Sequence, residues 1–197
     1  MLFRSIVSTQ PILVSILAVR FLNEPLGLRK IIGLLLGFSG VMLLLLPKVL
    51  SGNFSLQFSR SGVIAAVIAL IGTTTGYLLQ KKGGTDVPFL PGTAVQFAIA
   101  TLLFSMAAIA TEMWSVKVTS QFLLALGWIV IALSIGSIFL LFFLLKHDSA
   151  SSVSSLYYLV PPLTAIQAYI LFGEVITIVG LIGMGLAALG TLLVTKK

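Results

Sequence analysis

PILVSILAVRFLNEPLGLRKIIGLLLGFSG runs from Pro11 to Gly40, and PPLTAIQAYILFGEVITIVGLIGMGLAALG runs from Pro161 to Gly190. Each segment opens on proline and carries a glutamate thirteen residues later, Glu24 in one and Glu174 in the other. Glycines follow at matching offsets, Gly33 and Gly40 against Gly183 and Gly190, so the pattern recurs at a lag of 150 residues. In a very apolar chain this recurrence marks two copies of one ancestral unit, the second complete and the first cut short. Repeats of this kind in a membrane protein point to a transporter.

Composition sets the class. The 197 residues are 58% hydrophobic and 9% charged, with a mean hydropathy of +1.17, whereas soluble domains carry about a quarter charged residues. A membrane-crossing helix needs roughly 20 mostly apolar residues. Windows of that size give seven spans, near 1–22, 26–46, 61–80, 90–111, 120–145, 150–172 and 175–195. The predicted fold class is therefore an all-α polytopic transmembrane helix bundle with no soluble domain. Each break has a local cause in proline, glycine or charge: Asn23-Glu24-Pro25, Pro47-Lys48, Lys81 to Gly84 with Asp86, Pro88 and Pro91, Glu112 to Lys117, and Lys146-His147-Asp148. The Gly173-Glu174 break is brief and predicts a tight hairpin. Met1 to Arg4 followed by apolar residues has features of a signal peptide. Ser5, Ser8, Thr9, Gln10 and Pro11 interrupt the stretch, no Ala-x-Ala-like site follows, and its register with the sixth span favours a true span.

The net charge of +7 sits in short loops. With seven spans, Arg20, Arg29, Lys30, Lys81, Lys82, Lys146, Lys196 and Lys197 fall on one side, and Arg4, Lys48, Arg60 and Lys117 on the other. Eight against four places the C-terminus in the cytoplasm and the N-terminus outside. The basic balance is an orientation signal and not a nucleic-acid site. Five spans separate equivalent points of the copies, an odd number, so the copies lie upside down relative to each other. Glu24 is then expected at the cytoplasmic face and Glu174 at the outer face. Inverted repeats permit alternating access by exchange of conformations between the halves. Cysteine is absent, which excludes disulfides, Fe–S clusters and thiolate metal sites. His147 is single, and there is no metal-ligand spacing and no Walker motif. The expectation is a non-enzyme with no cofactor and no metal.

RFLNEPLGLRKIIGLLLGFSGVMLLL, within the stretch from Pro11 to Leu46, resembles the end of the first EamA-type repeat of the drug/metabolite transporter superfamily. SSLYYLVPPLTAIQAYILFGE and GLIGMGLAALGTLLV, within 150–195, resemble the end of the second. The resemblance covers essentially the whole chain. It implies a ten-span carrier of the bacterial inner (plasma) membrane with cytoplasmic termini, exporting amino acids and other small metabolites. It divides the chain into 1–46, the last two spans of the first repeat, an outer loop at 47–60, and a five-span second repeat at 61–197. Three spans of the first repeat are then missing before Met1.

Polar side chains on membrane helices turn toward neighbours or a wet cavity. The sixth span is richest in them: Ser151, Ser155, Tyr158, Pro162 and Tyr169 form one stripe, with Ser154, Tyr157, Pro161 and Thr164 beside it. Pro161 and Pro162 remove two backbone donors and are expected to free carbonyls near Tyr157 and Tyr158, making a hinge and a broken-helix site for a polar solute. The alternative is a kink satisfied by serine hydroxyls within the bundle. Ser8, Pro11 and Ser15 share a face of the first span, with Thr9 and Gln10 beside it, and read as the hinge of the opposite gate. Thr73, Tyr77 and Gln80 lie at helical spacing in the third span, where Gly72 and Gly76 invite close helix approach. Gln96, Trp128, Ser134 and Ser137 are further lining candidates, with packing as the bland alternative, and Trp114 reads as an interfacial anchor. Glu24 and Glu174 read as structural residues of the hairpins, each at the start of the following helix, with Arg20 as a partner for Glu24. Gly33, Gly37, Gly40, Gly180, Gly183 and Gly190 read as close-packing surfaces.

The expected function is a multi-pass transporter that moves neutral or zwitterionic metabolites by alternating access, driven by the solute's own gradient or by exchange. Its expected partners are the lipid bilayer and a small-molecule solute, and a homo-oligomer is compatible with the sequence. The alternatives are a non-transporting truncated membrane protein and an integral-membrane enzyme acting on a lipid-linked substrate. The enzyme would need clustered carboxylates or histidines, and the few acidic residues here are scattered among different loops.

Overall fold

A computed structural model describes residues 8–50, 60–84, 87–110 and 118–196, all helices and short connections. Trp114 and the predicted start of the first span lie outside the described residues. Helix α1 is Gln10–Phe21, α2 Leu28–Leu50, α3 Arg60–Leu79 with a wide turn at Gln80–Gly84, and α4 Phe89–Ala110. Helix α5 is Ser120–His147, α6 Ala150–Phe172 and α7 Ile178–Thr195. Six of these are long and apolar enough to cross a membrane, and α1 is shorter over its described length. The seven predicted spans therefore reappear as seven helices among the described residues. Helix α2 passes Pro47 and ends at Leu50, and the helical turns after α3 run through the Lys81-Lys82 pair. Both punctuation signals sit in final turns, so each helical run extends a few residues past the span predicted for it.

Helix starts follow from side-chain caps. Thr119, Ser149 and Thr177 each accept a hydrogen bond from the backbone N–H three residues on, at the heads of α5, α6 and α7.

The repeat is visible in the backbone. Regular helix begins at Gln10 in α1 and resumes at Val160 in α6, and α2 and α7 begin at Leu28 and Ile178, all at the lag of 150. The residues preceding the first pair, Thr9 and Leu159, have φ −80°, ψ −14° and φ −81°, ψ −15°. Each hairpin then turns on a left-handed residue at equivalent positions, Asn23 at φ 53° and Gly173 at φ 66°. The Ala18 carbonyl accepts from Glu24 N–H at 3.3 Å, and the equivalent Ala168 carbonyl accepts from Glu174 N–H at 3.4 Å. This is the left-handed helix cap, for which glycine and asparagine are the suited residues.

The described chain forms two compact units, Met1–Leu79 with Asp148–Lys197, and Gln80–His147. The first is organised on α2 packed antiparallel to α7. A Cβ added to Gly33 would stand 2.7 Å from the Gly190 carbonyl oxygen, and one added to Gly183 would stand 2.6 Å from that of Gly40. Gly33 thus meets Gly190 while Gly40 meets Gly183. Each copy's first glycine faces the other copy's second, the reciprocal pairing that a two-fold axis produces. The helices are close enough for backbone-to-backbone contact, which only small residues allow. Tyr158 of α6 lies with its ring against Gly37, and Leu34, Val41, Ala187 and Val194 complete a buried cluster around it.

The second unit holds α4 and α5. Helix α5 widens at Ile129–Ser137, where the Ser137 hydroxyl donates to the Ala132 carbonyl five residues back. Lys81 donates to the Leu145 carbonyl near the end of α5. Large apolar side chains such as Leu102, Phe104 and Ile131 are exposed, as suits helices whose solvent is hydrocarbon.

Gly190→Ala is expected to lower stability by about 1–3 kcal/mol through overpacking. Gly76→Ala, which meets nothing within 4 Å, should change it by no more than about 1 kcal/mol. Denaturant unfolding in detergent micelles, followed by circular dichroism, measures both.

Candidate functional site

The proline pair of α6 shapes the centre of the first unit. Ahead of it the helix tightens into a 3-10 turn at Leu156–Leu159, and Val160 N–H bonds the Tyr157 carbonyl. The Tyr157 carbonyl, expected to be free, is therefore satisfied by the tighter turn, the standard adjustment beside proline.

The serines before this turn are buried. Ser154 donates to the Ser151 carbonyl at 3.1 Å and Ser155 to the Ser152 carbonyl at 2.7 Å. Ser152 donates to the Val194 carbonyl at 3.1 Å, and Thr191 to the Ser155 carbonyl at 3.2 Å, which ties α6 to α7. The hydroxyls of Ser151, Thr74 and Tyr158 are enclosed without a hydrogen-bond partner. Unmet buried hydroxyls are uncommon and costly. Ser151 and Tyr158 on α6 and Thr74 on α3 thus form a buried polar seam in the first half of α6, while Tyr169 further along the same helix is exposed.

The remaining predicted residues divide by unit. In the first, Tyr157 and Thr164 are half-buried, and the Thr164 hydroxyl donates to the Pro161 carbonyl at 2.9 Å. Tyr77 is buried and donates to the Ala150 carbonyl at 3.3 Å. Thr73 is exposed and bonded to its own helix at Ala69, and it is the neighbouring Thr74 that points inward. Around Gly72 and Gly76 an added Cβ would meet nothing within 4 Å, so neither brings a described helix close. Ser8, just before α1, and Gln10, Pro11 and Ser15 within it are buried, and Ser15 donates to the Pro11 carbonyl at 2.7 Å. Gln96, Trp128, Ser134 and Ser137 belong to the second unit. There Gln96 donates to Gln80 at 3.1 Å, and Trp128 is exposed.

The two hairpin glutamates differ. Oε1 of Glu24 accepts from Ala150 N–H at 2.9 Å. The carboxylate thus caps the head of α6, not that of the following helix α2, and Arg20 is exposed. Lys30 donates to Ser149 Oγ at 3.1 Å beside it. With Tyr77 on the Ala150 carbonyl, these contacts clasp the start of α6. Glu174 instead lines a cleft of about 390 Å³ between α2 and the second half of α6, with Leu44, Leu45, Pro161, Thr164, Gln167 and Phe172. That volume lies within the range of small-molecule sites, roughly 300–1,000 Å³. Gln167 and Leu44 escaped the sequence reading. The available signal was spacing, since Thr164, Gln167 and Glu174 fall on one stripe of a helix extended through the hairpin.

An all-helical bundle with reciprocal glycine packing between equivalent segments defines a multi-pass membrane protein built on an inverted repeat. The profile of the EamA-like transporter family matches residues 60–196, and the chain belongs to that family. It is 30% identical, over its full length, to "Uncharacterized transporter YvbV" of Bacillus subtilis (strain 168). It is 25% identical, over 90% of its length, to "Uncharacterized transporter YdfC" of the same organism. The chain spans 63% and 56% of those relatives. No solved structure matches.

Tyr158→Phe deletes an unmet hydroxyl and is expected to leave stability unchanged or slightly raised. Tyr158→Ala opens a cavity against Gly37 and should cost about 3–5 kcal/mol. Thermal unfolding of the two variants in the same detergent separates ring from hydroxyl.

Proposed function

We propose that the protein acts as a membrane carrier that moves small polar metabolites, amino-acid-like or otherwise neutral or zwitterionic, across the plasma membrane by alternating access, in the direction of export. The reciprocal packing of Gly33 with Gly190 and Gly40 with Gly183 carries this reading. Two equivalent segments related by an approximate two-fold axis can exchange conformations, so an opening at one end has a counterpart at the other. Family membership and relatives named as transporters support it.

In this reading 1–46 is the end of a first repeat, 47–60 an outer loop and 61–197 a second repeat, with the C-terminus cytoplasmic. Its Glu24 hairpin then faces the cytoplasm and its Glu174 hairpin the outside. The proline break of α6 is the hinge, and Thr164 and Tyr157 beside it are the groups that meet the solute.

Purified protein in proteoliposomes, loaded with a panel of labelled amino acids and related metabolites, tests the reading. Saturable counterflow of at least one solute is expected, and its absence across the panel counts against a carrier. Pro161→Ala should straighten α6 and lower flux by about tenfold, equivalent to some 1.4 kcal/mol on the limiting barrier, with membrane insertion unchanged.

A further inference from the structure

We propose that the cleft between α2 and the second half of α6 binds a soluble solute that carries a protonated amine on an apolar body, and that Glu174 is the residue that selects the ammonium. The inference narrows the solute class of the carrier reading and rests on that reading. The amine is required, whereas a carboxylate on the solute is dispensable.

The cleft holds about 390 Å³, and a second cavity of about 80 Å³ shares Leu44, Ala165 and Glu174 with it. Glu174 therefore borders both. Most of the wall is apolar, formed by Leu44 and Leu45 of α2 with Ala168, Leu171 and Phe172 of α6. It extends along α6 from Phe172 back to Pro161, about three helical turns. Such a wall is favourable for an apolar body, which leaves water on entering, and offers little to a fully polar solute.

Charge and hydrogen bonding set the polar end. Among the described residues that line either cavity, Glu174 is the single ionisable one. A carboxylate only accepts hydrogen bonds. Thr164 commits its hydroxyl proton to the Pro161 carbonyl at 2.9 Å, which leaves its oxygen to accept. The amide of Gln167 is the remaining side-chain donor among the described residues of the cleft wall. Acceptors thus outnumber donors, and an ammonium brings three donors with the complementary charge. Glu174 is exposed in the hairpin between two spans, so a cation reaches it without crossing hydrocarbon. A carboxylate has about four lone-pair positions, so the ammonium joins the contacts that Glu174 makes within the protein and need not displace them. An anionic solute meets like charge there, and a neutral one leaves the carboxylate without a counter-charge.

Equilibrium dialysis of the purified protein in phosphatidylcholine nanodiscs, against empty discs, measures binding of phenethylamine, phenethyl alcohol and hydrocinnamate at neutral pH. The three share one apolar body and differ in the polar group. The amine is expected to bind at least about tenfold more tightly than the alcohol, a difference that one charge-assisted bond supplies, and hydrocinnamate should bind least. Glu174→Gln should bring amine and alcohol to within about twofold of each other, while Glu174→Asp keeps most of the preference. A side chain that served only the fold of the hairpin would weaken both ligands together and leave their ratio unchanged.

An amine that binds no better than the alcohol overturns the proposal, and so does a preference that survives Glu174→Gln. If Glu174→Gln does not fold, Gln167→Lys places a like charge on the cleft wall, and an unchanged amine affinity then overturns it. Discs of phosphatidylethanolamine separate a soluble amine from a lipid headgroup. An amine affinity weakened there by about tenfold gives the site to the lipid and overturns the solute assignment, and an unchanged one supports it. Dialysis involves no transport. Amine binding without counterflow in proteoliposomes overturns the carrier reading and leaves the site, and counterflow without amine binding does the reverse.

Discussion

Close backbone contact between α2 and α7 is the constraint on which the first unit depends. Each helix offers glycine at the crossing, and an added Cβ at Gly33, Gly40, Gly183 or Gly190 would fall inside the contact distance of the opposing backbone. Hydrocarbon does not drive apolar helices together, so association relies on packing density and on the polar bonds that such packing permits. Small residues give both here. They let the helices touch, and they leave room for the Tyr158 ring against Gly37. Hydrogen bonds from Ser152 to the Val194 carbonyl and from Thr191 to the Ser155 carbonyl join α6 to α7 beside it.

Equivalent parts of the first unit make different contacts. Both hairpins turn on a left-handed residue, and both place a glutamate next in the chain. One glutamate reaches across to the other copy, and the other borders a cleft. Similar local chemistry thus makes different tertiary contacts, and at Glu24 the contact is with the head of α6. The proline break allows this. By tightening α6 at Leu156–Leu159 it lets the first two turns and the last three be positioned separately.

Much of this was legible in the residues. Helix number followed from the size of the apolar windows, and the duplication from Pro11, Glu24, Gly33 and Gly40 with their partners. Proline and glycine are readable because backbone geometry permits few substitutes. What escaped depended on side-chain direction. Thr73 and Thr74 are adjacent and chemically alike, and periodicity did not say which would face inward. Glu24 lies beside Arg20 in sequence, yet its oxygen met a backbone N–H on a helix 126 residues away. The Tyr157 carbonyl was expected to be free because a regular helix was assumed, and a 3-10 turn closes the same gap with a different donor.

Gly37 and Ala187 occupy equivalent positions, and so do Tyr158 and Ser8. The phenol ring of the second copy is accommodated by the bare α-carbon of the first, so the duplicated modules are no longer interchangeable parts. A methyl group acquired at position 37 would have to be matched by a smaller residue at position 158. Divergence of the two halves is thereby coupled, and neither can drift in sequence without the consent of the other.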